Sequence, residues 1–425
     1  RVRMNRCKGD LTVIGLGYVG LPLAQNACQN GYRVTGFDTD KDTVIDLGNG
    51  ISHIDGVSDI DMAEMLKAGF RPTDDPGRIE ESDVVVICVP TPLNEDGVPD
   101  LTAVRQATNS VASRLRAGTL VVLESTTYPG TTEEIVKPIL EQGSDLEAGV
   151  DFYLAYSPER IDPGNQIWTI TNTPKVVGGL TEQCLEQAVK FYEQVVDTVI
   201  PTVGLKEAEF SKLLENTYRH INIAMVNEMA VFCHQLGIDL WASIDAARTK
   251  PFGFEAFYPG PGVGGHCIPI DPNYLSWVVR SVGFRFRFVE LAEEISNRMP
   301  AYVAGRVQDA LNTEQKSVKG SVVLLLGVTY KANLKDMRET PAVPLAGHLR
   351  SLGADVRFYD PYVDRFSTNG EDLEGELDLA EAVGAADLVV LVQAHDEIVN
   401  SPCLNSASLI LDTRGVLLGT NVERL

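Results

Sequence analysis

The 425-residue chain is 44% hydrophobic and carries a formal net charge of −23, enough apolar material for two or three domains with substantial cores. Its acidity excludes nucleic acid and anionic membrane as partners, since both are bound by clustered Lys and Arg, and an anionic substrate would need a locally basic pocket. Seven scattered cysteines without a C-x-x-C pair suggest neither a disulfide framework nor a zinc site, so no metal is expected and a cytoplasmic setting is. The basic residues 1–10 lead into no apolar signal core, and no apolar run approaches the length of a membrane span.

Leu11 to Ile14 is a short β-prone run ending in G-L-G-Y-V-G, with Gly15, Gly17 and Gly20 in the G-x-G-x-x-G pattern around Tyr18 and Val19. A helix over Leu21 to Asn30 and a strand over Arg33 to Phe37, ending at Asp38, complete a β-α-β unit. In such a unit the glycines let a pyrophosphate approach backbone N–H groups at a helix N-terminus. Asp38 would accept hydrogen bonds from a ribose diol and repel a 2′-phosphate, which favours NAD over NADP. Further β-rich segments end in polar turns: Asp83 to Val89 into P-T-P, Thr119 to Leu123 into E-S-T-T-Y-P-G, and Phe152 to Ala155 into Y-S-P-E-R. Strand C-termini are where an open α/β sheet collects its ligand, so Thr91, Ser125, Thr126, Glu159 and Arg160 are expected to face one crevice with the glycine turn.

From Leu205 a proline-free helical segment runs to a stop at Gly237. Lys212, Asn216 and Arg219 or His220 share one helical stripe, and in a mostly apolar helix these polar groups are expected to face a cleft or contact surface. Tyr258 to Asp271 reads Y-P-G-P-G-V-G-G-H-C-I-P-I-D. Glycines serve where backbone must approach a ligand closely, and here they present Cys267 on a loop, with Asp271 four residues on. A long helix follows over Arg287 to Asn312, expected to break or kink near Pro300. The last third is a second α/β domain without the glycine motif: strands Ser321 to Leu326 and Asp355 to Tyr359 flank a helix over Ala342 to Leu352, and A-D-L-V-V-L-V and A-S-L-I-L-D-T-R follow. The expected architecture is α/β, with two Rossmann-like doubly wound domains (1–204 and 313–425) joined by a central helical domain (205–312).

V-I-G-L-G-Y-V-G-L-P, Y-S-P-E-R-I-D-P-G-N, K-L-L-E-N-T-Y-R-H-I-N-I-A-M-V-N-E, G-P-G-V-G-G-H-C-I-P-I-D-P and Y-K-A-N-L-K-D-M-R-E-T-P together resemble the UDP-glucose/GDP-mannose dehydrogenase family over nearly the whole chain. The G-G-H-C-I-P loop resembles its UDP-N-acetylhexosamine branch. The resemblance implies a four-electron oxidation of C6 of a UDP-sugar by two NAD, most simply UDP-N-acetylglucosamine. UDP-N-acetylmannosamine, UDP-N-acetylgalactosamine and UDP-glucose are the alternative substrates. It implies Cys267 as the nucleophile carrying a thiohemiacetal and then a thioester, with Lys212 and Asn216 stabilising the alkoxide and oxyanion. Asp271 would work through an ordered water beside Thr126, and Glu159 would be the base for thioester hydrolysis; the first alcohol proton goes to Lys212 or to the Asp271 water. Arg160, Arg219, Lys331, Tyr258 and Gly262 would shape the nucleotide-sugar site, Arg338 would reach the cofactor, and a homodimer is implied. Two other classes remain at this stage: a two-electron 3-hydroxyacid dehydrogenase, which has no need of Cys267, and an NAD-sensing protein without UDP-sugar affinity.

Overall fold

In the computed structural model, which describes residues 7–425 apart from Asp55, Glu95, Pro163, Gln166 and His266, and only the backbone of Cys267 and Pro269, the early apolar runs become one sheet. Its strands are β1 (Asp10–Ile14), β2 (Arg33–Phe37), β3 (Arg71–Thr73), β4 (Val84–Ile87), β5 (Leu120–Leu123), β6 (Tyr153–Tyr156), β7 (Lys175–Gly179) and β8 (Val199–Pro201). They lie in the order β3-β2-β1-β4-β5-β6-β7-β8. Neighbours are parallel except β6 and β7, which run antiparallel. All four residues of β4 and of β5 are buried, as expected where a parallel sheet is covered on both faces. Successive residues enter opposite cores: Val84 and Val86 pack with Leu11 and Val13, whereas Val85 and Ile87 pack with Ile14 and Phe37. The chain steps outward from β1 to β3 and returns to place β4 on the other side of β1. This reversal opens the crevice at the strand C-termini where such sheets bind ligands.

A second sheet is built the same way from β9 (Val322–Leu326), β10 (Asp355–Tyr359), β13 (Leu388–Leu391), β14 (Ile410–Asp412) and β15 (Val422–Arg424), in the order β10-β9-β13-β14-β15. All its neighbours are parallel, and β11 (Arg365–Thr368) and β12 (Glu371–Glu374) form a separate antiparallel hairpin. The expected α/β class, with Rossmann-like N- and C-terminal parts and a long helix between them, is what the chain adopts.

The long helix spans Leu205–Leu236. It stops where the sequence says: Gly237 turns left-handed at φ +65°, and Gly237 and Ile238 donate back to the His234 and Cys233 carbonyls, a Schellman cap that a side chain at this φ would strain. The chain's packing divides it into two compact units, Arg1–Glu215 and Asn216–Leu425, so the boundary falls inside this helix.

Two expectations need correction. Of the break or kink expected near Pro300, the break does not occur: one helix runs over Arg287–Thr313 through Pro300. Proline removes only the bond to the Ser296 carbonyl, and burial of Ser296, Met299, Pro300 and Val303 holds the helix together across that gap. The second concerns the cysteine segment, read as loop. A helix begins at Cys267 itself and runs to Ser281, so C-I-P-I-D is its opening turn.

Candidate active site

The glycine turn after β1 is fixed by close contacts within the N-terminal unit. Gly15 sits at φ +89°, and a Cβ there would lie 2.7 Å from the Cys88 carbonyl oxygen; at Gly20 it would lie 1.8 Å from the Gly15 carbonyl oxygen. Both glycines are therefore demanded by the turn. Gly17 is different, because a Cβ there meets no protein atom within 4 Å. What makes a glycine useful at that point is space for a ligand, as the second glycine of a dinucleotide fingerprint requires. Asp38, at the end of β2, accepts from Leu16 N at 2.8 Å and from Asp40 N at 3.0 Å, which holds its carboxylate beside the turn. Tyr18 is exposed on the same turn. At the ends of β4 and β5 the Thr91 hydroxyl donates to the Thr126 carbonyl at 2.7 Å and the Ser125 hydroxyl to the Val89 carbonyl at 2.7 Å. These bonds lock the two strand exits together.

Glu159 is buried at the exit of β6, and its Oε1 accepts from the backbone N–H groups of Arg160 (2.7 Å) and Ile161 (2.6 Å). Its Oε2 lies 3.0 Å from Lys175 Nζ, which lies 3.0 Å from Glu124 Oε2 as well. The other Glu124 oxygen accepts from the Tyr192 hydroxyl. Burial pushes Glu159 up, but the charge and hydrogen bond of Lys175, with Lys212 adding to them, outweigh it and leave its carboxyl below the usual range. Glu124 is raised, chiefly by burial. Two neighbouring carboxyls are thus driven apart, the pattern that separates acid from base in active sites. Arg160 forms an ion pair with Glu215 at 2.8 Å and donates to the Pro174 carbonyl at 2.7 Å.

Sequence reasoning missed Glu124, Lys175 and Tyr192. The available signal was a lysine and a glutamate abutting the apolar strands V-V-G-G and L-V-V-L, positions that burial makes costly for charge unless the charge is paired.

On the long helix Lys212 and His220 are buried and Asn216 is half-buried. Arg219 is exposed, so His220 rather than Arg219 continues the buried stripe. Burial pushes the His220 imidazole down from 6.5 to about 4, and its Nδ1 has no hydrogen-bond partner among the described residues. The fold therefore holds this ring neutral. Its contribution to stability is present above pH 6.5 and is lost as pH falls toward 4, an effect of about 3 kcal/mol at the acid end. Denaturant titrations at neutral and acid pH are expected to show a smaller acid loss for His220→Gln than for the wild type; equal losses would contradict the assignment.

In the C-terminal unit Asp271 is buried and accepts from Asn216 Nδ2 at 2.6 Å. This joins the long helix to the opening turns of the cysteine helix. Asp271 lies one turn beyond Cys267, whose side chain is outside the described residues. The glycine run before it packs on the loop after β9: a Cβ on Gly264 would lie 2.6 Å from Tyr330 Cβ and 2.8 Å from the Glu339 carbonyl oxygen. Gly265, at φ +89°, donates to the Arg338 carbonyl at 2.9 Å. Gly262 (φ +143°) leaves a Cβ only 3.0 Å from Pro341. The segment carrying Lys331 and Arg338 is thereby tied to the cysteine segment.

Arg338 pairs with Asp336. Lys331 is half-buried. The Tyr258 ring stacks on Trp241 at 5.4 Å, and its hydroxyl lies 3.3 Å from Asp245 and from Arg248. Behind the loop, buried His395 accepts at Nδ1 from Asn333 N (2.9 Å), so its proton is on Nε2, which donates to Asp360 at 3.0 Å. Arg414, also absent from the sequence reading, donates to the Val392 carbonyl at 2.7 Å. It stands against the glycine run, 3.2 Å from where a Gly260 Cβ would lie, and burial lowers its guanidinium to about 10.

A dinucleotide turn on one mostly parallel sheet, a second Rossmann-like sheet, and a helix carrying a lysine and an asparagine define a nucleotide-dependent dehydrogenase. Models of the UDP-glucose/GDP-mannose dehydrogenase family match in all three parts: the NAD binding domain at residues 9–196, the central domain at 206–298 and the UDP binding domain at 324–418. The chain belongs to this family, and it is an NAD-dependent UDP-sugar dehydrogenase of the UDP-N-acetylhexosamine group. It is 35% identical over 415 residues to UDP-N-acetyl-D-mannosamine dehydrogenase of Pyrococcus horikoshii, covering 96% of each chain. It is 35% identical over 409 residues to UDP-N-acetyl-D-glucosamine 6-dehydrogenase of Pseudomonas aeruginosa, covering 94% of this chain and 93% of the other. The solved structure of the P. horikoshii UDP-D-ManNAc dehydrogenase superposes with a TM-score of 0.89 at 33% identity, covering 98% of both chains.

Proposed function

We propose that this enzyme oxidises C6 of UDP-N-acetylglucosamine to the carboxylate in two successive NAD-dependent steps, with Cys267 holding the intermediate. The observation that carries this reading is the Asn216–Asp271 hydrogen bond of 2.6 Å. Lys212 precedes Asn216 by one helical turn, and Cys267 precedes Asp271 by one. The bond supports the reading because it ties the helix that Cys267 opens to the long helix that carries Lys212.

The chemistry follows from these residues. NAD, when bound, accepts one hydride in each oxidation; the turn Gly15 to Gly20 and Asp38 would hold it, with Thr91, Ser125 and Arg338 completing its contacts. Lys212 or the water on Asp271 takes the proton of the C6 hydroxyl, while the Lys212 ammonium and the Asn216 amide stabilise the alkoxide. An aldehyde carbon bears a hydrogen but no hydroxyl whose oxygen could drive that hydrogen out as a second hydride. The Cys267 thiolate supplies that hydroxyl by adding to the carbonyl carbon, giving a thiohemiacetal, and oxidation of that adduct leaves a thioester. A helix start is where the backbone's partial positive charge favours thiolate over thiol. Glu159 then takes a proton from water as the water oxygen attacks the thioester; the C–S bond breaks, thiolate and carboxylic acid separate, and the acid loses its proton to solvent. Arg160, Arg219, Lys331, Tyr258 and Gly262 would receive the UDP-sugar, and Arg414 adds a half-buried guanidinium suited to a diphosphate.

UDP-N-acetylmannosamine is the second reading, favoured by the equal identity to the P. horikoshii enzyme. Steady-state assays over UDP-N-acetylglucosamine, UDP-N-acetylmannosamine, UDP-N-acetylgalactosamine and UDP-glucose are expected to give the highest kcat/KM for the first, with two NADH per sugar. One NADH per sugar with free aldehyde would refute the four-electron reading, and a clear preference for another epimer would reassign the substrate.

We further propose a cytoplasmic homodimer with three parts, 1–204, 205–312 and 313–425. Phe210, Leu214, Tyr218, Met225, Phe232 and Leu236 are exposed along the long helix, an apolar stripe of the kind that a subunit interface covers. Free cysteines at positions 28, 88, 184 and 233 suit a reducing compartment.

A further inference from the structure

Lys175 opens β7 with its side chain 5% exposed, and its ammonium bridges two carboxylates that are themselves buried, Glu124 (0% exposed) and Glu159 (7%). Glu124 extends from the end of β5, Glu159 from the end of β6, and Tyr192, at the end of the helix Glu182–Tyr192, closes the far side by donating to Glu124. Lys175 Nζ also stands 5.4 Å from the centre of the Tyr192 ring. The remaining titratable neighbours are Cys88, buried beyond β4 and kept a neutral thiol, and Lys212 on the long helix, whose charge reaches Glu159. Two carboxylates and one ammonium leave a net charge of −1 buried, which Lys212 offsets from the Glu159 side.

The bonding of Glu159 is asymmetric. Oε1 already accepts from two backbone N–H groups, whereas Oε2 accepts from Lys175 and retains a second lone pair for a proton. A buried carboxylate this well paired should be a weak base, because proton uptake would strand the ammonium. Glu124 removes that obstacle. When Glu159 becomes neutral, Lys175 still has Glu124 as counter-ion, and the cluster passes from −1 to 0.

We propose that Lys175 is a positioning residue, backed by Glu124 and Tyr192, that aims Glu159 and keeps it ionised yet able to take the proton of the water that hydrolyses the thioester. The proposal rests on the reading of Glu159 as the hydrolytic base. In that step the water oxygen bonds to the thioester carbon, its proton passes to Glu159 Oε2, the Cys267 C–S bond breaks, and Glu159 later returns the proton to solvent.

The test is the pH dependence of thioester hydrolysis in single turnovers of the NAD-loaded enzyme with UDP-N-acetylglucosamine. Lys175→Met leaves two carboxyls sharing a site, one of which must hold a proton. Hydrolysis at neutral pH should slow about tenfold or more, with the midpoint displaced upward past neutrality by about four pH units and the rate recovering in alkali. Lys175→Arg, which keeps the charge, should restore most of the rate and the original midpoint. Glu124→Gln, nearly isosteric, should move the midpoint the opposite way, because Lys175 is then left with Glu159 alone. Unmoved midpoints in Lys175→Met and Glu124→Gln would overturn the proposal, and the Glu124→Gln arm decides it if Lys175→Met does not fold. Glu159→Gln separates the underlying reading: if it hydrolyses the thioester at the wild-type rate, Glu159 is not the base; if it accumulates thioester while the other midpoints stay fixed, the base stands and the Lys175 proposal fails.

Discussion

Replacing Cys267 by alanine is expected to lower formation of the sugar acid by about a thousandfold or more, while calorimetry still finds NAD and the UDP-sugar bound. The reason is electronic. Alcohol oxidation to aldehyde needs no nucleophile, but the second oxidation needs a carbon that again bears hydrogen and an ionisable oxygen, and the thiolate provides it by addition. A two-electron dehydrogenase on the same scaffold would keep full activity without the thiol, so undiminished acid production in Cys267→Ala would exclude the covalent route.

Lys212→Met should cost about 10²–10³-fold in kcat with little change in KM, the usual loss when a donor aimed at a developing oxyanion is removed. Lys212 is buried, and its ammonium helps to hold the Glu159 carboxyl down. The variant should therefore also move the hydrolysis midpoint toward higher pH, a second effect that loss of substrate affinity alone would not produce. Lys212→Arg retains charge but replaces a compact ammonium by a planar fork, and recovery should be partial. A rise in KM with kcat intact would instead make Lys212 a binding residue only.

Much of this was legible in the chain. The β-α-β unit was readable because each local signal agrees: apolar β1, the glycine turn, the helix, and Asp38 closing β2. The long helix was readable because thirty-two residues from Leu205 to Leu236 contain no proline and a left-handed glycine follows. Where local signals oppose tertiary packing, the sequence misleads. Glycines and prolines around Cys267 read as loop, yet the helix begins at Cys267 and contains Pro272, which removes a single backbone bond, the one to the Ile268 carbonyl. Pro300 survives in a helix because the neighbouring turns are buried.

The Lys175 bridge was hidden for another reason. Its partners are 51 and 16 residues away, brought together by β5, β6 and β7 lying side by side with β7 reversed. A single chain does not display that pairing. The choice of His220 over Arg219 for the buried stripe is a matter of one residue's rotation around the helix, about 100°, which apolar spacing alone leaves open.

The covalent role of Cys267 is tested most directly by mass spectrometry of Glu159→Gln quenched during turnover with UDP-N-acetylglucosamine and NAD. The account predicts a stable adduct of sugar-nucleotide mass, mapped to the peptide containing Cys267 and released by hydroxylamine. Two NADH formed per sugar with that cysteine unmodified throughout would contradict it.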